Sequence, residues 1–225
     1  MLKWTTRWDI LNITIDLCRD RINSVVIENS SLFEEFILDL RHQIDKKGEN
    51  FLALVNNSTL ELSRSAVLIC SPFDITYDKK DLQKKLISSI AADLRSSELS
   101  DELTEILERL VGLLEKLSLV SDFEIAFSVL DDMQLLKAVE TFLPAPKGTF
   151  AEKIISFSET VHKLTGKTVF ILANCDAYIS DDDYTELCKY FQYAGLELIF
   201  IRNRQRNLNG NENEYIIDND LCELH

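Results

Sequence analysis

Glycine and proline are scarce, with 6 Gly and 3 Pro in 225 residues. That excludes long Gly-rich or Pro-rich linkers. Paired cysteines are also missing. Cys18, Cys70, Cys175, Cys188 and Cys222 are scattered and odd in number, and no CxxC occurs. A zinc ribbon or thioredoxin-type centre is therefore not expected, and buried, reduced thiols are. No apolar run approaches the roughly 18 residues that cross a bilayer. The opening stretch MLKWTTRWDI has neither an h-region nor a small-residue cleavage site, so the expectation is a cytoplasmic protein without a secretory signal. No internal repeat is visible.

An ordinary globular balance is present, with 46% hydrophobic and 28% charged residues. The chain is long enough to bury a core without disulfide or metal staples. Acids outnumber bases 38 to 24, a formal net charge of −14. On average such a protein repels nucleic acid, so a DNA-binding reading needs a local basic strip.

Alternation over 10–17 and the run at 22–28 predict two strands, and 30–47 predicts a helix capped by Ser30 or Ser31. Lys46 and Lys47 suit the end of that helix before Gly48. Short apolar runs at 51–55 and 66–70 predict two more strands. After Ser71-Pro72 the pattern becomes helical, with helices over 79–95 and 101–117 and shorter ones to 142. Leu103, Ile106, Leu107, Leu110, Leu113, Leu114 and Leu117 lie close to a heptad seam suited to another helix. Pro144 and Pro146 end this region. A helix over 149–165, a strand over 167–173, a helix over 181–194 and a strand over 196–201 close the pattern, with an edge strand at 214–217. The expected fold is α/β. A mostly parallel-sheet head (1–75 and 149–225) carries an inserted all-helical arm (76–148).

Thr165-Gly166-Lys167-Thr168 ends like a phosphate-binding loop, but a full loop has a glycine where Val161 stands and opens a helix instead of closing one. Gly166 reads as a helix stop. Asn174, Cys175 and Asp176 follow the best strand, where ligands bind open sheets, but read as a polar loop. Asp181, Asp182 and Asp183 read as a first-turn complement to the helix dipole, with Ser180 as N-cap. His42 and His162 fall on predicted helices, His225 is the remaining histidine, and no G-x-S-x-G occurs.

The lysines carry more. Lys79, Lys80, Lys84 and Lys85 crowd the start of the first arm helix. At 100° per residue, Lys80, Lys84 and Arg95 fall within about 60° of one another, a stripe that could follow a phosphate backbone. Lys46-Lys47, Arg202, Arg204 and Arg206 are further local positives. Glu115, Asp122, Glu124, Asp131 and Asp132 gather around the arm's second bend but match no EF-hand.

In order and texture, the chain resembles the Csn-two family of CRISPR-associated proteins of type II-A systems, in its shorter form. The resemblance runs from LNITIDL through INSVVIENSSLFEEFI and SAVLICSPFDITYDKKDLQKKLISSIAADL. It is clearest in KTVFILANCDAYISDDDYTELCKYFQYAGLELIFIRNR. It implies a head related to P-loop nucleotide hydrolases but without a P-loop, a helical leg, and a ring-shaped homotetramer. That ring binds the ends of double-stranded DNA without sequence preference, through a lysine-lined hole. The resemblance further implies a role in spacer acquisition beside the integrase proteins and the effector nuclease, with no enzymatic activity of its own. By position it assigns Lys79, Lys80, Lys84 and Lys85 to the hole, with Arg95, Lys46 and Lys47 as further candidates. It assigns Glu115, Asp122, Glu124 and Asp131 to calcium. The segment LSLVSDFEIAF departs from the acid-rich bend of the family, which puts calcium in doubt. Two alternatives stand beside this reading. One is a degenerate nucleotide hydrolase or metal-dependent nuclease using Asp176 with Asp181–Asp183. The other is a protein-interaction adaptor docking a different partner at Leu103–Leu117.

Overall fold

The computed structural model describes residues 2–7, 12–17, 22–48, 51–55, 58–128, 130–206 and 212–224. In chain order the elements begin with β1 (Leu2–Arg7), β2 (Asn12–Leu17), β3 (Ile22–Ile27), α1 (Ser30–Ile44), β4 (Phe51–Val55), β5 (Ser58–Leu60), α2 (Leu62–Ser65) and β6 (Ala66–Ile69). Then come α3 (Lys80–Ser96), α4 (Leu99–Val120), α5 (Asp132–Ala138), α6 (Phe150–Thr165), β7 (Val169–Ala173), α7 (Asp181–Ala194), β8 (Glu197–Arg202), β9 (Glu212–Ile217) and β10 (Glu223–Leu224). The chain divides into two compact units, residues 1–76 with 146–225, and residues 77–145.

The larger unit holds a six-stranded sheet in the order β10-β9-β3-β8-β7-β6. Strands β9, β3, β8, β7 and β6 run parallel, and β10 lies antiparallel on β9. The middle strands β3, β7 and β8 are buried almost throughout. Both of their faces are covered, so they read as apolar runs instead of alternating. On one face Phe36 and Leu40 of α1 pack with Val25, Ile27, Ile171 and Ile199. On the other, Phe191 of α7 meets Phe170 edge-on at 5.5 Å, and Tyr184 meets Phe200 at 5.1 Å. This is the expected α/β architecture with a mostly parallel sheet.

Three sequence expectations need correction here. The strand at 10–17 joins β1, β4 and β5 in a separate antiparallel sheet of order β2-β1-β4-β5. Periodicity marks a strand without naming its sheet. The strand at 214–217 is no edge: β9 lies between β3 and β10. The N-cap of α1 is Asn29, whose Oδ1 accepts from the Leu32 amide at 3.1 Å. Helix α1 then closes through Lys46, which takes the left-handed conformation (φ 62°) normally given to glycine.

Helix α6 opens on a reciprocal capping box between Thr149 and Glu152. It ends at Gly166 in a left-handed turn (φ 73°), directly before β7. Lys167 Nζ donates to the Ala66 carbonyl at 2.6 Å. The GKT segment is therefore a helix stop whose lysine ties the turn to the start of β6.

In the smaller unit, α3 packs on α4 and α5. Leu82, Leu86, Ile87 and Ala91 of α3 are buried, whereas no residue of α4 is. Among the described residues no helix is long and apolar enough to cross a membrane.

Candidate nucleic-acid interface and assembly surface

Lys79, Lys80, Lys84 and Lys85 are all exposed at the start of α3. None of them has an ion-pair partner among the described residues. Lys79 sits at the N-cap, and no side chain bonds the first turn there. Four cations beside a positive helix end raise the local potential, which Asp81 in the first turn offsets only in part. Arg95 stands apart, because its guanidinium pairs with Asp132. That contact joins α3 to α5, so Arg95, unlike the four lysines, is engaged within its own unit. Lys46 and Lys47 lie in the other unit, exposed at the end of α1. Lys46 reaches Glu61 at 4.0 Å, both side chains being well exposed, a contact worth little in water.

The positives near the end of β8 are also engaged. Arg202 is 1% exposed. Its guanidinium donates to Asp176 at 2.9 Å, to Ser24 at 2.7 Å and to Glu212 at 2.8 Å. It also lies over the Phe200 ring at 4.5 Å. Arg206 donates to Asp176 at 3.2 Å and to the Ile179 carbonyl at 3.1 Å, and pairs with Asp181. Arg204 remains exposed, at a polar cavity of about 320 Å³ also lined by Glu28, Ser30, Asn203, Gln205 and Asn219. Burial, with the carboxylates of Glu214 and Asp176, pushes Glu212 up to about 8. The Arg202 guanidinium works against that rise. Removing Arg202 would strip buried Ser24 and Glu212 of their hydrogen-bond donor, leave Asp176 with Arg206 alone, and open a cavity beside Phe200. Arg202→Ala is therefore expected to cost about 3–5 kcal/mol of stability. Urea denaturation would measure it, and a loss below about 1 kcal/mol would contradict this reading.

The acids weighed for an enzyme take part in these contacts. Asp176 and Asp181 are held by arginines, and Ser180 Oγ accepts from the Asp183 amide at 3.2 Å as an N-cap. His162 Nδ1 lies 2.9 Å from the Lys167 carbonyl, and His225 lies outside the described residues. Burial pushes the Cys175 and Cys188 thiols up to about 12, which leaves them protonated and unreactive. Cys222 is exposed instead of buried, and Cys18 lies outside the described residues.

The residues proposed for calcium do not fit it. Glu115, Asp122 and Glu124 are exposed, and Asp131 is the N-cap of α5. Asp131 Oδ1 accepts from the Gln134 amide at 2.7 Å, and Gln134 Oε1 accepts from the Asp131 amide at 2.9 Å. Among the described residues no three His, Cys, Asp or Glu side chains gather as a metal-binding set. Calcium needs several converging oxygens, and these four do not supply them.

Helix α4 carries an exposed apolar stripe. Leu99, Ile106, Leu110, Leu113, Leu117 and Val120 are all exposed, Ile106 at 54% and Leu113 at 63%. They follow alternate steps of three and four residues once half-buried Leu103 is included. Beside them runs an open groove of about 550 Å³ along Thr104, Leu107, Glu108, Val111, Gly112 and Glu115. Leu99 and Val120 continue the sequence seam at either end. The same spacing would have found them had the predicted helix not been cut at 101 and 117. An exposed leucine stripe of this length marks a contact surface.

Residues 43–221 match the family described as "CRISPR-associated protein (Cas_Csn2)". The chain belongs to this family. Its membership supports a role in CRISPR adaptation. A similar curated protein is the CRISPR-associated protein Csn2 of Streptococcus agalactiae, 19% identical over 201 residues, with 87% of each chain covered. Two solved structures are also similar. One is cbiO1 from Clostridium perfringens, part of the ABC transporter complex cbiONQ (12% identity, TM-score 0.44, 90% of this chain and 78% of that one). The other is a putative ABC transporter ATP-binding protein from Pyrococcus furiosus (11% identity, TM-score 0.42, 95% of this chain and 96% of that one). The Csn2 match omits residues 1–42, which include β1, β2, β3 and most of α1.

Proposed function

We propose that this Csn2-family chain is a cytoplasmic, non-enzymatic protein that binds double-stranded DNA ends without sequence preference. It assembles as a ring-shaped homotetramer and serves new spacer acquisition beside the integrase proteins and the effector nuclease. The observation that carries the reading is the exposed apolar seam of α4. A leucine stripe left in water by its own chain is accounted for by association with further copies. Lys79, Lys80, Lys84 and Lys85 supply the phosphate contacts, and such contacts read no sequence. The acidic remainder of the molecule then steers DNA toward the lysines. The enzyme alternative is weakened by the arginines that hold Asp176 and Asp181. Calcium has no assigned ligands in this reading.

The test combines light-scattering mass after size exclusion with a mobility shift on linear and closed circular duplexes of one sequence. A tetramer that shifts only the linear form is expected, with binding that weakens steeply as salt rises. A monomer that leaves both duplexes unshifted at low salt would overturn the proposal. Running the mass measurement with calcium and then with a chelator is expected to give the same tetramer.

A further inference from the structure

The exposed stripe of α4 has two unlike flanks. Its three- and four-residue steps put Leu103, Leu110 and Leu117 at coiled-coil a positions and Ile106 and Leu113 at d. The neighbouring e positions are then Ser100, Leu107 and Leu114, all uncharged. The g positions are Glu102, Arg109 and Lys116, all charged. All three charged residues are exposed and lack an ion-pair partner among the described residues.

This segregation discriminates between the two ways of pairing α4 with a second copy. Parallel pairing sets each g beside an e of the other helix. Glu102 would then face Leu107 and Arg109 would face Leu114, so no opposite charges meet. Antiparallel pairing sets e against e and g against g. One flank becomes apolar and the other carries the charges.

The charges also select a register. Centring the pair at Glu108 opposes Ile106 to Leu110, Leu103 to Leu113 and Leu99 to Leu117. It brings Glu102 to Lys116 at both ends. Arg109 meets its own counterpart at the two-fold axis, where Glu105 one turn earlier on the same helix moderates the repulsion. A register centred between Val111 and Gly112 opposes Arg109 to Lys116 twice. One centred between Thr104 and Glu105 leaves Leu113 and Leu117 uncovered.

We propose that α4 pairs antiparallel with α4 of a second copy, centred at Glu108, with Glu102 of each copy bound to Lys116 of the other. The proposal rests on the assembly reading above and adds its partner, direction and register.

The test uses the full chain at low salt. Glu102→Lys alone and Lys116→Glu alone are each expected to weaken self-association about tenfold, read from mass against concentration. The combined Glu102→Lys/Lys116→Glu chain is expected to recover to within about twofold of the unchanged chain, because the pair is only exchanged. A second arm places cysteines through Glu102→Cys/Lys116→Cys. Within one helix these positions are about 21 Å apart, so a disulfide joining them forms only between copies. Peptide mapping after mild oxidation is expected to find position 102 joined to position 116. An intact oligomer with neither rescue nor this cross-link would overturn the direction and leave the assembly reading standing. An unchanged chain that is monomeric at all concentrations would overturn both.

Discussion

Lys80→Glu with Lys84→Glu is expected to weaken binding to linear duplex DNA by about a hundredfold or more at low salt. Both lysines are exposed and without an ion-pair partner among the described residues, so the folded subunit loses little when they are reversed. Substitutions of that kind change stability by no more than about 0.5 kcal/mol. What changes is the number of counterions displaced by DNA. Each phosphate contact removed makes log affinity about 0.9 less steep in log salt. The measurement is a binding titration at several salt concentrations, with oligomer mass followed on the same samples. The expected result is weaker binding, a shallower salt slope and an unchanged mass. Unchanged DNA binding would move the adaptor reading to the front. The same exchange at Arg95 differs in kind, because it breaks the contact with Asp132 between α3 and α5. It is therefore a poor probe of DNA binding.

Ile106→Asp with Leu113→Asp is expected to reduce the assembly to smaller species with a folded head. Both side chains are mostly in water in the single subunit. Within that subunit neither replacement leaves a cavity or buries a charge. In a helix pair each aspartate enters a closed apolar seam, where an unpaired charge costs several kcal/mol. Light scattering reads the loss of mass, and far-ultraviolet circular dichroism reports the retained fold. An undiminished oligomer would place the subunit contacts elsewhere and remove the main support for a ring built through α4. DNA-end binding is expected to fall with the mass, because each subunit alone contributes just one copy of the short lysine patch on α3.

The helical texture of 78–142 was legible because leucines at three- and four-residue spacing have no other common explanation. The apolar runs of β7 and β8 were legible because strands covered on both faces need no polar alternation. Other features were not. An asparagine and two serines in succession all favour an N-cap, and only the backbone conformation selects Asn29. The small antiparallel sheet was invisible because strand pairing is a long-range property. Leu2–Arg7 pairs with both Asn12–Leu17 and Phe51–Val55, and no local pattern encodes the latter partnership.

The candidate site divides in the same way. Lys79, Lys80, Lys84 and Lys85 are close in sequence and on one helix, so periodicity alone fixes their grouping. Arg95, Arg202 and Arg206 look equally positive in the sequence. Whether an arginine is available to a phosphate depends on which carboxylates the fold brings to it. Asp132 lies 37 residues from Arg95, and Asp176 lies 26 from Arg202. The acids behave alike: Asp131, which the family resemblance assigns to calcium, is the N-cap of α5.

The sequence by itself determined the α/β class, the helical segment between the strands and the heptad spacing of α4, because each is a local repeat of three, four or two residues. Only the tertiary structure decided the two-sheet arrangement, the neutralisation of Arg202 and Arg206, and the exposure of the α4 seam. Those depend on which distant groups come within a few ångströms, and burial and charge pairing are properties of that neighbourhood.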